Sequence, residues 1–165
     1  DIINSFDSNI EILGEGIFLK TAASPHIAKL QENIEYIGLD IGLPTRNNVV
    51  IELAGGLFSP IDEYSCMLDY MRNHKLPTIL VGSYYLGAIN HIILSIEALK
   101  KNNIDIICIV MNGVMDSNID KFIYDYTGVN IIHLNTFDSN NFKEKILIFK
   151  HKIRNHLINN NYQLI

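Results

Sequence analysis

Ile104-Asp105-Ile106-Ile107-Cys108-Ile109-Val110-Met111 is an apolar run interrupted by one charge near its start. A strand with one wet face alternates apolar and polar residues. A run without alternation therefore predicts a strand buried on both faces, as parallel sheets require. Working outward, Pro77-Thr78-Ile79-Leu80-Val81-Gly82 is a second such run. Asn48-Val49-Val50-Ile51-Glu52-Leu53-Ala54-Gly55-Gly56 is a third that ends in glycines, and residues 129–134 (VNIIHL) are a weaker fourth. Between them apolar residues recur at three and four: Cys66, Met67, Tyr70 and Met71, then Ile89, Ile92, Ile93, Ile96 and Leu99. Lys100-Lys101-Asn102-Asn103 ends the second of these helical stretches. Strand alternating with helix predicts an α/β fold around a mostly parallel sheet.

The two ends read differently. Ser24-Pro25-His26 has the form of a helix start, Ser at the N-cap and Pro at the first helical position, with a short helix through Ile27 and Leu30 toward Ile34. Residues 142–158 form an amphipathic helix with Phe142, Ile146, Phe149, Ile153 and Leu157 on one stripe. Its other face carries Lys143, Lys145, Lys150, Lys152 and Arg154, either as a solvated face or as a surface for a partner or phosphate.

The 165 residues are 48% apolar and 19% charged, with a mean hydropathy of +0.14, which excludes a disordered chain. Their length suits one domain with a sizeable core. A net charge of −5 and a pI near 5.6 argue against nonspecific nucleic-acid binding, which needs a basic excess. No uncharged apolar run reaches the ~18 residues that a membrane span takes. Cys66 and Cys108 stand far apart without a metal-ligand pattern, so a reducing cytoplasm is the expected compartment. The chain opens at Asp1, and a preceding segment is expected.

Ligands of open α/β sheets bind outside the carboxyl ends of the strands. Glu52 closes one apolar run just before Ala54-Gly55-Gly56. Such a carboxylate can hold Mg²⁺ while the glycines let phosphate approach the backbone, or it can simply pair with a Lys beside a tight turn. After the second run, Gly87, Ala88, Ile89 and Asn90 open a helix, and their free N–H groups offer an anion site or a plain capped terminus. His91 reads as structural. After the third run Asn112-Gly113 is either an amide matched to an adenine edge or an ordinary turn. Gly14-Glu15-Gly16-Ile17-Phe18-Leu19-Lys20-Thr21 misses the phosphate-loop pattern G-x-x-x-x-G-K-[ST], because Leu19 occupies the second glycine position.

Taken together, these segments resemble the dethiobiotin synthetase family. The matching text is Ser24-Pro25-His26-Ile27, then Val50-Ile51-Glu52-Leu53-Ala54-Gly55-Gly56-Leu57 with Ser59-Pro60. It continues with Pro77-Thr78-Ile79-Leu80-Val81, Leu86-Gly87-Ala88-Ile89-Asn90-His91 and Val110-Met111-Asn112. Leu53 departs from the second position of the family's E-G-A-G-G. The resemblance implies a single domain over residues 1–165, with a three-layer P-loop-NTPase-like fold whose N-terminal βαβ part is missing from this chain. It also implies a cytoplasmic homodimer acting on ATP, diaminononanoate and CO₂ with Mg²⁺, with no nucleic-acid or membrane partner. In that reaction a carbamate of 7,8-diaminononanoate is phosphorylated by ATP and closes to the ureido ring of dethiobiotin. The roles it implies are Glu52 as Mg²⁺ ligand, and Glu52, Leu53, Ala54, Gly55, Gly56, Asn112, Gly113, Leu134 and Asn135 around the nucleotide. Ser24, Pro25, Gly87, Ala88, Ile89 and Asn90 would hold the other substrate. The phosphate loop and catalytic lysine have no counterpart here, so the chain alone is expected to be inactive. Two other classes stay open: a different P-loop ATPase using another acceptor, and a non-catalytic dimerising remnant that binds ligand.

Overall fold

A computed structural model describes residues 10–13, 16–45, 49–138 and 140–162. The chain divides into two compact units, Asp1–Met67 and Leu68–Ile165.

In the first unit helix α1 (Pro25–Glu32) starts at Ser24, whose φ of −61° and ψ of 146° are extended, with Pro25 in the first turn. The Ser24 hydroxyl makes no cap bond and meets His26 Nδ1 at 3.1 Å. The helix stops before Ile34, because Asn33 turns left-handed at φ 52° and the Ile34 N–H closes back on the Lys29 carbonyl. A 3₁₀ turn (Gly38–Asp40) follows. The expected strand over 48–56 is not formed: residues 49–53 belong to no strand, Val50 is 99% exposed, and Asn48 lies outside the described residues. A strand exists through ladder bonds to a neighbour. β-branched composition cannot substitute for that partner, and none pairs with 49–53 among the described residues.

Helix α2 (Met67–His74) leads into the second unit, where β1 (Thr78–Ser83), β2 (Ile106–Asn112) and β3 (Ile131–Leu134) form an all-parallel sheet in the order β1-β2-β3. The crossovers are α3 (Ala88–Lys101) and α4 (Ser117–Thr127), and α5 (Phe142–Asn159) is the last helix among the described residues. The run 104–111 is buried on both faces, as its lack of alternation predicts. Ile109 and Met111 pack with Ile92 and Ile96 of α3 and Ile123 of α4. Cys108 and Val110 pack on the opposite face with Ile132 and with Phe149 and Ile153 of α5. Helices thus cover both faces of β2, giving three layers there. Ile79 and Val81 instead leave one face of β1 exposed, so the run 77–82 is not buried on both faces as its lack of alternation predicts. The α5 stripe of Phe142, Ile146, Phe149, Ile153 and Leu157 is half-buried, and Lys143, Lys150, Lys152 and Arg154 face solvent. Ile96 and Leu99 are fully buried, each burial worth roughly 2 kcal/mol. Gly82 lets α3 close onto β1: a Cβ there would lie 3.0 Å from Ile92 Cδ1 and from Met111 Sδ. No described helix is long and apolar enough to cross a membrane.

Candidate functional site

In the first unit Glu52 is exposed, and nothing among the described residues hydrogen-bonds its carboxylate. The Lys-paired alternative for Glu52 is therefore not realised. The next residues form a tight turn. The Gly56 N–H donates to Ser59 Oγ at 2.9 Å, and the Ser59 N–H donates to the Gly56 carbonyl at 2.9 Å. Gly55 has φ +77°, and a Cβ there would overlap the Ser59 hydroxyl. Glycine is thus required by the turn itself, and Ala54, Gly55 and Gly56 present exposed backbone. Of the near-miss phosphate loop, Gly14 and Glu15 lie outside the described residues, and 16–21 carries neither helix nor strand.

Ser24 and Pro25 stay in the first unit at the start of α1, and the second unit brings the other candidate residues to the carboxyl ends of its three strands. Ser83 of β1, Asn112 of β2 and Leu134 of β3 are register partners across the sheet. The Gly113 N–H extends the ladder by donating to the Leu134 carbonyl at 3.1 Å. Gly113 itself sits at φ +121°, where side chains other than hydrogen are strained. Asn112, Gly113, Leu134 and Asn135 are therefore contiguous, with Asn112 and Asn135 exposed. Gly87 is the N-cap of α3 at φ 100° and offers no side-chain cap. The Ala88 N–H is already taken by the Tyr85 carbonyl at 3.0 Å, so it is not available to a ligand. The amides of Ile89 and Asn90 have no partner among the described residues. His91 accepts or donates at Nδ1 with the Tyr85 hydroxyl, 2.7 Å away, beside that helix terminus. Cys108 offers no nucleophile: it is wholly buried, which pushes its thiol up to about 11.

Three side chains at these strand ends carry no local sequence signal. The Tyr84 hydroxyl donates to both carboxylate oxygens of Asp120, at 2.8 and 2.9 Å. Its ring lies 5.8 Å from that of His133, whose Nε2 is buried without a partner among the described residues. Asp120 sits in the first turn of α4, where the helix dipole favours its charge, behind the N-cap Asp116 that accepts from the Asn118 and Ile119 amides.

The AAA domain family matches residues 6–134. A relative from Campylobacter jejuni, named ATP-dependent dethiobiotin synthetase BioD, is 51% identical over 145 residues, covering 88% of this chain and 72% of the relative. The chain belongs to the dethiobiotin synthetase family. Relatives with the same printed name from Cytophaga hutchinsonii and Lawsonia intracellularis are 35% and 39% identical over 120 and 118 residues. These matches cover 72% and 67% of this chain, and the chain spans 58% of each of those two relatives.

The described residues contain no group of three or more His, Cys, Asp and Glu side chains able to hold a metal ion. A closed protein cage is thus not formed by them. A lone unpartnered carboxylate fits Mg²⁺ in its usual mode, in which one or two carboxylates join phosphate oxygens and water. Glu52, exposed and without a hydrogen-bond partner among the described residues, suits that mode.

Proposed function

We propose that this chain serves the ATP-dependent closure of 7,8-diaminononanoate and CO₂ to dethiobiotin. The observation that carries this beyond family membership is the convergence at the strand ends of the second unit. There the amides of Ile89 and Asn90, without a partner among the described residues, stand at the head of a 14-residue helix, and Asn112 is exposed beside Gly113. A helix N-terminus with unpaired N–H groups attracts a carboxylate, and the substrate has one. An exposed amide can donate to and accept from an adenine edge. In the first unit Glu52 would hold Mg²⁺ and the 54–56 turn would approach phosphate. When bound, Mg²⁺ would neutralise charge on the transferred phosphoryl group. The rest is positioning: the substrate's amines are the nucleophiles, which accords with the absence of an activated side-chain nucleophile among the candidate residues. Ser24 and Pro25 would line the diamine, and Leu134 and Asn135 the base. The functional form is a cytoplasmic homodimer in this reading.

The test is ATP turnover by the complete gene product with and without the diamine. Diamine-dependent release of phosphate together with dethiobiotin is expected, and ATP turnover indifferent to the diamine would sink the proposal. The 165 residues by themselves should show no turnover, since their sequence holds no G-x-x-x-x-G-K-[ST] to cradle the phosphates. Asn112→Ala in the complete enzyme should raise the KM for ATP about tenfold and that for GTP much less, because one base contact is worth roughly 1–2 kcal/mol. An equal rise for both nucleotides would remove the adenine role.

A further inference from the structure

Beyond the register pair Ser83 and Asn112, the chain leaves the sheet in two directions: 84–87 toward the head of α3, and 113–116 toward α4. Both segments are loops, and each adjoins one of the ligand contacts proposed above: Ile89 and Asn90 follow the first, and Asn112 precedes the second. Tyr84 spans them. Its ring passes under the turn after β2, close enough that a Cβ on Gly113 would be 3.5 Å from Tyr84 Cδ2. Its hydroxyl reaches both oxygens of Asp120 on α4, 36 residues away in sequence. Tyr84 also packs against the buried cluster that includes Ile92, Ile109 and Met111, so the side chain is held by packing as well as tethered at its hydroxyl.

We infer that Tyr84 is a positioning residue, whose bond to Asp120 sets the base-contacting turn at Asn112 and Gly113 against the carboxylate-binding head of α3. The inference rests on the proposed function for what those two loops bind. A bond from a neutral donor to an ionised carboxylate is short and stronger than a neutral pair, which suits a tether that must hold two loops. Burial, and then the Asp120 hydrogen bond, push the phenol well above its ordinary range, so it stays a donor throughout physiological pH. Asp120 in turn accepts from Tyr84 and sits where the α4 dipole supports its charge. Loosening the tether would leave the strands intact and let the two loops drift, and misplacement on the scale of an ångström is enough to weaken ligand contacts.

The experiment uses the complete enzyme with Tyr84→Phe, Asp120→Asn and the double variant, measuring KM for ATP and for the diamine, kcat and melting temperature. Phenylalanine keeps the ring and its packing, and asparagine keeps the shape at position 120, so each variant removes the tether from a different side. The expected result is a rise of about five- to tenfold in both KM values, with kcat within about twofold, in each single variant. The double variant should be no worse than either single one, because both remove the same bond. Unchanged KM values accompanied by a lower melting temperature would make Tyr84 a stability residue and overturn the inference. So would additive effects in the double variant, or a rise confined to one substrate. Wild-type turnover that ignores the diamine would defeat the underlying reading, and this inference with it. Diamine dependence with normal KM values in the variants would defeat this inference alone.

Discussion

Glu52→Gln in the complete enzyme is expected to cut diamine-dependent ATP turnover by about 100-fold while shifting the melting temperature by less than about 2 °C. The two halves of that expectation come from different observations. Glutamine keeps the size and hydrogen-bonding reach of glutamate but removes the charge that a hard cation needs. A loss near 100-fold corresponds to about 2.7 kcal/mol of transition-state stabilisation, the scale on which single electrostatic contributors to phosphoryl and acyl transfer act. The thermal half follows from exposure: the Glu52 carboxylate has no hydrogen-bond partner among the described residues, so neutralising it breaks no bond among them. Exposed substitutions of this kind stay within about 0.5 kcal/mol. Raising Mg²⁺ should partly restore the variant's rate, since phosphates and water still offer most of the coordination sphere. A variant that melts many degrees lower with its activity kept would assign Glu52 to the fold and withdraw it from the metal.

What the sequence made legible follows burial. The run 104–111 announces β2 because both faces of that strand are covered, so nearly every position had to be apolar. The run 48–56 has the same β-branched character, and yet residues 49–56 form no strand. Composition reports what a segment would bury, and pairing depends on a neighbour that composition cannot supply. Helix α4 carries a weak sequence signal for the opposite reason. Its buried positions, Ile123 and Thr127, are few, and Phe122, Tyr124 and Tyr126 face solvent, so the apolar period is blurred. The usable signals were its ends: Asp116 as N-cap and Gly128 in the left-handed conformation at φ 70°. In the candidate site, the glycine-led head of α3 and Asn112 were legible because helix starts and strand ends have local signatures. The Tyr84–Asp120 tether was not, because no spacing rule links residues 36 apart across a crossover. The use of the Ala88 amide by the Tyr85 carbonyl was likewise hidden, since it depends on how the preceding turn closes.

The largest stability effect is expected at Asp62, where Asp62→Ala should destabilise the first unit by roughly 3–5 kcal/mol. Asp62 is 5% exposed. Its Oδ2 accepts the Gly38 N–H at 2.6 Å, and its Oδ1 accepts the Tyr64 N–H, the Ser65 N–H and the Ser65 hydroxyl at 2.9, 2.8 and 2.7 Å. One carboxylate thereby closes the 62–65 turn on itself and fastens it to a segment 24 residues earlier. Gly38 is needed for that approach, because a Cβ there would press 2.5 Å from Ile61 Cγ2. Nearby bonds depend on the same turn: the Tyr36 hydroxyl donates to the Ile61 carbonyl at 2.7 Å, and Pro60 pairs with Cys66 in an isolated antiparallel bridge. Alanine would leave the donors around Asp62 without their acceptor, in a unit whose described residues contain no strand ladder to compensate. Burial alone would raise the Asp62 carboxyl, but the Ser65 hydroxyl and then the Gly38, Tyr64 and Ser65 amides outweigh it and hold it down to about 2, against an ordinary 3.8. A folded-state value below the unfolded one stabilises the native state above the unfolded value. That stabilisation is lost as pH falls from about 4 through about 2, and it amounts to roughly 2 kcal/mol. Urea unfolding at pH 6 and pH 2.5 reads this directly, with hydrogen exchange at the Gly38, Tyr64 and Ser65 amides locating it. The wild type should lose more stability between the two pH values than Asp62→Ala does. Glu32 and Glu63, both held low by their own hydrogen bonds, are present in each protein and drop out of the difference. Equal acid sensitivity in the two proteins, or unaltered exchange at those three amides in the variant, would show that the carboxylate does not hold the turn.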